Sequence, residues 1–539
     1  MIERPQKLPI VAALLATVLG AWAFLLSGQA PLRSPLAPET LQQWLTVLSS
    51  DDFEGRATFS PGLDKAAAYI SDRLKEAGVR PLGVDGSYLQ PVAVESVQAV
   101  NQSTLVVEVN GESRTFRNGE GVYFPTYVGG KRTFTLNAPQ FVGYGLNVGS
   151  DHNDYAGLDV RDKAVIWIGD VVPTSITAPY AARMMESRPS MALEEMGAAV
   201  SISPVIGLYG GRDRSSSRFV TTQRLDLPRP LDITMSDEVL SFIFSASGMS
   251  FDDLRAKARR YEDLPHITLS GVKLSFTIDA DYTVTSTRMT QNVVGFVEGT
   301  DPQLKSTYVA FGAHYDHLGI EQGSRSEDNA DHIYNGADDD GSGSTALIAL
   351  ATAFARGPRP HRSVMFAWHA GEERGLWGSQ FLVDHSPVPI EDIVAQLNID
   401  MIGRDRDNLE SEENTVYAVG ADRISTELHN VLIDANAALE KPLNINFEMN
   451  DPSDPERIYF RSDHFSYAAK GIPIIFFFTG LHPDYHRVTD SVEKIHFDKM
   501  AHITRLIYEL GMRLGNLDHP PARDFKGPRM GKGSSGKIE

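Results

Sequence analysis

Apolar residues in this chain recur at two spacings, and the switch between them divides it into regions. After Ala37-Pro38-Glu39-Thr40, the stripe Leu41, Trp44, Leu45, Leu48 repeats at i, i+3, i+4, i+7 and predicts a helix. A second helix is expected from about Pro61 to Ala77, with Gly78 placed to end it. Alternation over Ser103–Val109 and Glu112–Phe116 predicts a hairpin about Asn110-Gly111. Between Gly119 and His266 the runs shorten: Arg132–Leu136, Gln140–Val142, Ala164–Ile168, Ala199–Ile202 and Ile233–Met235, parted by turn formers. This texture predicts an inserted β-rich domain at 119–266; a long decoration of one domain is the alternative.

From Ile267 strands and helices alternate regularly. Strands are expected at Leu274–Ile278, Gln291–Glu298, Tyr308–Gly312, Ser363–Trp368, Val394–Ile399, Thr415–Val419 and Ile472–Phe478. Helices are expected at Ser342–Arg356, Ser379–Asp384, Arg423–Ala435 and Lys499–Leu514. Such alternation implies an α/β fold with a mostly parallel central sheet flanked by helices, whose ligands sit beyond the carboxyl ends of the strands. Residues 31–118 supply the first part of this domain and 267–515 the rest. The Pro-, Gly-, Ser- and Lys-rich tail, 516–539, is expected to be disordered.

Composition narrows the chemistry. A length of 539 residues holds two or three cores. A formal net charge of -20 lacks the basic face a nucleic-acid binder needs. With no cysteine, thiol nucleophiles, thiolate metal sites and disulfides are all excluded, so any metal must be held by His, Asp and Glu. Arg4 and Lys7 precede the uncharged run Leu8–Leu26 and Gly28-Gln29-Ala30, which predicts an export signal at 1–30. An uncleaved membrane anchor is the alternative. An exported protein without disulfides is expected to be periplasmic or secreted.

Several strands end in acids or imidazoles. The run Ser363–Trp368 leads to Gly371-Glu372-Glu373, two carboxylates that repel each other unless a cation lies beside them. His314 follows Tyr308–Gly312, and Asp316 could fix its ring by accepting the second N–H. Asp338-Asp339-Asp340-Gly341 runs into a helix; as a calcium loop it fails, because Leu347 stands where the bidentate Glu should be. Asp400 ends another strand, and His486 follows Ile472–Phe478 across a short loop. Singly, each reads as a cap, a hydrogen-bonded pair or a surface side chain. Together they predict a metal site with oxygen and nitrogen ligands, as zinc, cobalt or manganese prefer. His317, His332, His369 and His482 read as ordinary polar residues, with His482 the one competitor of His486.

In order, His314-x-Asp316, Asp338-Asp339-Asp340-Gly-Ser-Gly, Glu372-Glu373, Asp400-Met401, Ser462-Asp463-His464 and Tyr485-His486 resemble the co-catalytic di-zinc aminopeptidases. These share a fold with glutamate carboxypeptidase and the transferrin receptor ectodomain. The resemblance covers about Ile267 to Leu514. Phe141-Val142-Gly143-Tyr144-Gly145 and Asp154–Val160 resemble the protease-associated domain often inserted in that family. The resemblance implies two divalent ions, Zn2+ above all, with Asp339 bridging them. His314 and Asp400 would complete one site, and Glu373 and His486 the other. It further implies that Glu372 is the general base, that Asp316 orients His314, and that Asp463 and His464 lie near the substrate. Arg487 departs from the small hydroxyl residue common after the last His. The expected substrates are peptides. A related carboxypeptidase or dipeptidase, with Arg461 or Arg487 receiving a carboxylate, is the first alternative. A receptor-like module on an inactive scaffold would have lost ligands, and none is lost here.

Overall fold

The computed structural model describes residues 34–178, 180–205, 216–321, 331–525 and 537. The signal or anchor expected at 1–30 lies outside them, and no described helix is long and apolar enough to cross a membrane.

Helix α1 (Pro38–Leu48) buries the expected stripe Leu41, Leu45 and Leu48. Helix α2 (Pro61–Ala77) starts where the Ser60 hydroxyl accepts the Leu63 N–H, and ends at Gly78 with φ 84°. The long strands β1 (Leu89–Asn101) and β2 (Ala280–Val297) follow, then β3 (Tyr308–His314), α3 (Gly343–Arg356) and β4 (Ser363–His369). The chain continues through β5 (Ile393–Ile399), β6 (Thr415–Val419), α4 (Thr426–Ala437), β7 (Ile474–Phe478) and α5 (Phe497–Asn516).

The labelled strands join one ten-stranded sheet, in the order Ser216–Thr221, β1, β2, β4, β3, β5, β7, β6, Asn444–Asn446, with Arg80–Pro81 beside β2. β4, β3, β5 and β7 are mutually parallel, while β1, β2 and β6 join antiparallel. The α/β class is therefore present as expected, in a mixed sheet whose parallel part is the centre. Period-two alternation sorts the two faces. Val309, Phe311 and Ala313 of β3 face a core shared with α1, α2, α3 and α5, whereas Ala310 faces the core holding Leu382 and Tyr467.

A second hydrophobic core runs from Leu105 to Ala280. It holds a six-stranded sheet, ordered His266–Thr268, Gln140–Val142, Ala164–Ile166, Val200–Pro204, Leu231–Met235, Val122–Tyr123. It also holds a four-stranded antiparallel sheet, in which the hairpin Thr104–Arg117 pairs with Val272–Ile278. This core thus reaches beyond 119–266 on both sides, and the strand expected at Leu274–Ile278 forms here, away from the main sheet. Helices Asp237–Phe244 and Phe251–Arg259 also lie in this region, begun by the hydroxyls of Ser236 and Ser250 accepting the N–H three residues on. The tail expected to be disordered opens with a bound stretch: Phe525 N–H donates to the Ile424 carbonyl (3.0 Å), and His519 Nε2 lies 2.7 Å from Glu427 Oε1.

Candidate metal centre

The central strands deliver the site. β3 ends in His314, and β5 is followed at once by Asp400. β4 leads to Gly371, whose φ of 75° turns the chain so that Glu372 and Glu373 stand beyond the strand end. β7 leads through a short loop to His486, itself held at φ 57°. Positive φ in a residue with a side chain costs about 1–3 kcal/mol and collects at functional sites.

These side chains meet on Asp339. His314 Nε2 lies 3.2 Å from Asp339 Oδ1 and 3.6 Å from Asp400 Oδ1. His486 Nε2 lies 3.2 Å from Asp339 Oδ2 and 3.1 Å from Glu373 Oε2. One carboxylate therefore turns an oxygen toward each histidine, with a second acid beside each.

Its neighbours cannot take that place. Asp338 Oδ1 accepts the Gly403 N–H (2.7 Å), and its Oδ2 lies 3.2 Å from His482 Nε2. Asp340 Oδ1 accepts the N–H groups of Gly343 (2.9 Å) and Met401 (3.1 Å). The outer two aspartates brace the backbone, and the middle one is left to the imidazoles. His482, the competitor of His486, is thereby committed to Asp338.

The carboxylate of Asp316 does not orient His314 directly; His314 Nδ1–H donates to the Asp316 backbone carbonyl (3.1 Å). That fixes the tautomer and leaves Nε2 with a free lone pair. The Asp316 side chain instead accepts the Thr58 hydroxyl (2.8 Å) and the Glu372 N–H (3.1 Å), so it positions Glu372. Asp463 and His464, expected beside the substrate, are fully buried and line no part of the cavity over this cluster. Asp463 Oδ2 lies 3.2 Å from His369 Nδ1. His464 bonds the Tyr459 carbonyl (2.7 Å) and stacks on Phe476, and burial drops its pKa to about 3.

Four contributors escaped sequence reading. His317, read as ordinary, is buried with Nδ1 2.7 Å from Glu373 Oε1 and 3.8 Å from Asp339 Oδ2. Thr58 anchors Asp316. Asp490 accepts the N–H groups of Asp338 (3.0 Å) and Asp339 (3.1 Å). Arg56, fully buried, donates to the carbonyls of Leu48 (3.0 Å), Tyr315 (3.1 Å), Asn335 (2.7 Å) and Gly336 (2.9 Å). Its guanidinium ties the end of α1 to the loops that carry His314 and Asp339. Of these, only His317 had a local signal, its place next to the His-x-Asp pair.

The electrostatics match the geometry. Burial would raise the pKa of Asp339, but His317, His314 and His486 pull it well below the usual carboxylate range. Burial lowers His486, yet its contacts with Asp339 and Glu373 carry it up to about 10. Glu372, partly open to the cavity, is raised well above an ordinary carboxylate by burial, against His314 and with Glu373, Asp400 and Asp463 adding to the rise. His317 Nε2 is buried without any hydrogen-bond partner, and buried Asp339 Oδ2 has only the His486 and His317 rings beside it. Such atoms amid this much acid fit a cation between them. Donors 3.1–3.6 Å apart can share an ion about 2.0–2.2 Å from each. The donor set is all nitrogen and oxygen, so the residues present fit zinc and its neighbours.

The cavity over this cluster is walled by Met401, Ile458, Phe476, Phe478 and Leu481, with Arg461 and Tyr485 beside them. The second unit braces that wall. Its Glu195 pairs with Arg423 (3.0 Å) and its Glu194 with Arg457 (3.0 Å), and these guanidiniums lie over the rings of Tyr459 and Phe460, next to Ile458.

A mixed α/β sheet thus gathers imidazoles and carboxylates beyond its parallel strands, in two sets that share Asp339 and converge closely enough to hold an ion. Residues 292–511 match the model of peptidase family M28. The chain is 30% identical over 222 residues to a probable leucine aminopeptidase of Arthroderma benhamiae, covering 39% of this chain and 56% of the relative. It is 32% identical over 161 residues to leupeptin-inactivating enzyme 1 of Streptomyces exfoliatus, covering 30% of this chain and 32% of that one. The chain thus spans little more than half the length of the first of these relatives. Among solved structures it is similar to an aminopeptidase from Aneurinibacillus (18% identity, TM-score 0.44, 91% of this chain and 96% of the other). It is likewise similar to a zinc aminopeptidase from Bacillus subtilis (16% identity, TM-score 0.42, 92% and 100%).

Proposed function

We propose that this protein is an exported aminopeptidase that removes apolar amino-terminal residues from peptides with the help of two divalent ions, zinc in the first place. The observation that carries the reading is Asp339, whose two oxygens face two different histidines, each with its own second acid. One ion would be held by His314, Asp339 and Asp400, the other by Asp339, Glu373 and His486. Bound there, the pair would polarise the scissile carbonyl and acidify a nearby water.

The chain's own residues do the rest. Glu372 opens to the cavity with a raised pKa, which suits a base that takes a proton from water and returns it to the leaving amine. Asp316 holds Glu372 through its N–H, and Ser462 holds Asp400 by donating to Oδ2 (2.7 Å). The apolar wall suits a leucine-like side chain, in keeping with the names of the leucine aminopeptidase relatives. The surrounding carboxylates favour a free amino group. Arg461, one of the two arginines the carboxypeptidase reading offers for a substrate carboxylate, is already engaged by Glu456 (3.2 Å) and the Tyr485 hydroxyl (3.3 Å). We read the second unit as a protease-associated domain that steadies the cavity wall. Export rests on the sequence of residues 1–30, and fusion of that segment to a periplasm-dependent reporter tests it.

Blocking the amino terminus provides the test of activity. Leucine nitroanilide is expected to be hydrolysed and its N-acetyl form to be inert; equal rates on the two would overturn the aminopeptidase reading. For the ligands, His486→Ala is expected to carry about one zinc fewer per chain than the wild type and His482→Ala the full amount, by elemental analysis. The reverse order would move the ligand to His482.

A further inference from the structure

Among the described residues, three sets of imidazoles and carboxylates converge closely enough to hold an ion. Two share Asp339. The third, His152, Asp154 and His266, lies in the second unit and plays no part in the chemistry above. We propose that these three residues form a separate divalent-cation site suited to Zn2+, which staples the loop 147–154 to the strand His266–Thr268.

The donor atoms converge on one point. Nε2 of His152 and Nε2 of His266 each lie 2.7 Å from the same oxygen, Asp154 Oδ1, and all three ligand atoms lie within 4.8 Å of one another. Asp154 is 1% exposed, and the backbone fixes its other half: Oδ2 accepts the Leu146 N–H at 2.9 Å, and the Asp154 N–H donates to the Leu146 carbonyl at 2.8 Å. One oxygen is thus tied to the chain while the other is aimed at both rings, the supporting arrangement that orients a metal ligand. Gly143, at φ 57°, passes so close that a Cβ there would sit 3.3 Å from both Asp154 Oδ1 and His266 Cδ2.

The outer side of the triad is open, with His152 20% and His266 28% exposed, which leaves the fourth tetrahedral position to water. A donor set of two imidazoles and a carboxylate, without thiolate, suits a borderline ion. Zinc at about 2.0–2.2 Å from each atom needs donors about 3.3 Å apart, so binding requires both rings to draw back from Asp154 Oδ1 by about half an ångström. The contact spans 112 residues of sequence. It joins a loop whose Gly149 backs onto Ser453 of the main unit to the strand from which the chain returns toward β2. A metal-free triad of hydrogen bonds is the other outcome, and the experiment separates the two.

Full-length protein, stripped with chelator, reloaded with zinc sulfate and desalted, is assayed for zinc per chain beside the double variant His152→Gln/His266→Gln. The variant is expected to carry one zinc fewer per chain with unchanged hydrolysis of leucine nitroanilide; equal zinc in the two proteins overturns the proposal. Because the readout is a difference, it is independent of how many ions the Asp339 cluster holds, so its failure is distinct from failure of the aminopeptidase reading. A second measurement needs no variant. Diethyl pyrocarbonate modification of His152 and His266, mapped by peptide mass spectrometry, is expected to slow about tenfold when zinc fills about 90% of the sites. Modification at a rate indifferent to zinc would end the proposal even if the double variant failed to fold.

Discussion

Glu372→Gln is expected to slow hydrolysis of leucine nitroanilide about 10²–10⁴-fold, the usual worth of a positioned general base. The amide matches the carboxylate in shape but cannot accept the water's proton. Zinc content should stay at the wild-type level, because Glu372 is absent from the contacts that join His314, Asp339, Asp400, Glu373 and His486. Asp316 binds the backbone N–H at residue 372 rather than its side chain, so the loop keeps its anchor. Steady-state kinetics with elemental analysis of the same preparation checks both halves. A variant that holds its metal and turns over at near the wild-type rate removes Glu372 from the chemistry.

Arg56→Met should have the largest effect on stability, a loss of about 3–5 kcal/mol. The side chain is fully buried, and its guanidinium satisfies four backbone carbonyls on three separate segments. Methionine fills similar volume but leaves those carbonyls without donors, each costing about 1–3 kcal/mol if unrelaxed. Arg56→Lys should recover only part of the loss, since an ammonium group cannot fork toward carbonyls on different segments. Urea unfolding of the metal-free proteins measures this. A loss under about 1 kcal/mol would mean that the site loops are held by something other than Arg56.

How much of this was legible depends on whether the signal is local. His314, Glu372, Glu373 and Asp400 stand at the ends of continuous apolar strands, where ligands of an α/β sheet belong, so position alone marked them. Asp339 was separable from Asp338 and Asp340 only by resemblance; its neighbours' ties to Gly403, Gly343 and Met401 are tertiary. Thr58 and Arg56 act across more than 250 residues, on Asp316 and Tyr315, a distance no spacing rule reaches. Asp463 and His464 admitted two readings, a place near the substrate and a structural hydrogen-bond role, because the two look alike in sequence; their buried contacts with His369 and Tyr459 are of the second kind. The first half of β2 was missed because residues 281–289 are largely exposed on both faces, which erases the period-two signal. Helices Asp237–Phe244 and Phe251–Arg259 did announce themselves, through Ser-Asp-Glu and Ser-Phe-Asp-Asp starts that deserved more weight than the strand-like texture around them.

Anomalous diffraction at the zinc edge from crystals of the zinc-loaded protein tests the central claim most directly. The account predicts two peaks astride Asp339, one against His314 and Asp400 and the other against Glu373 and His486. No peak within reach of Asp339 in fully loaded crystals would contradict it.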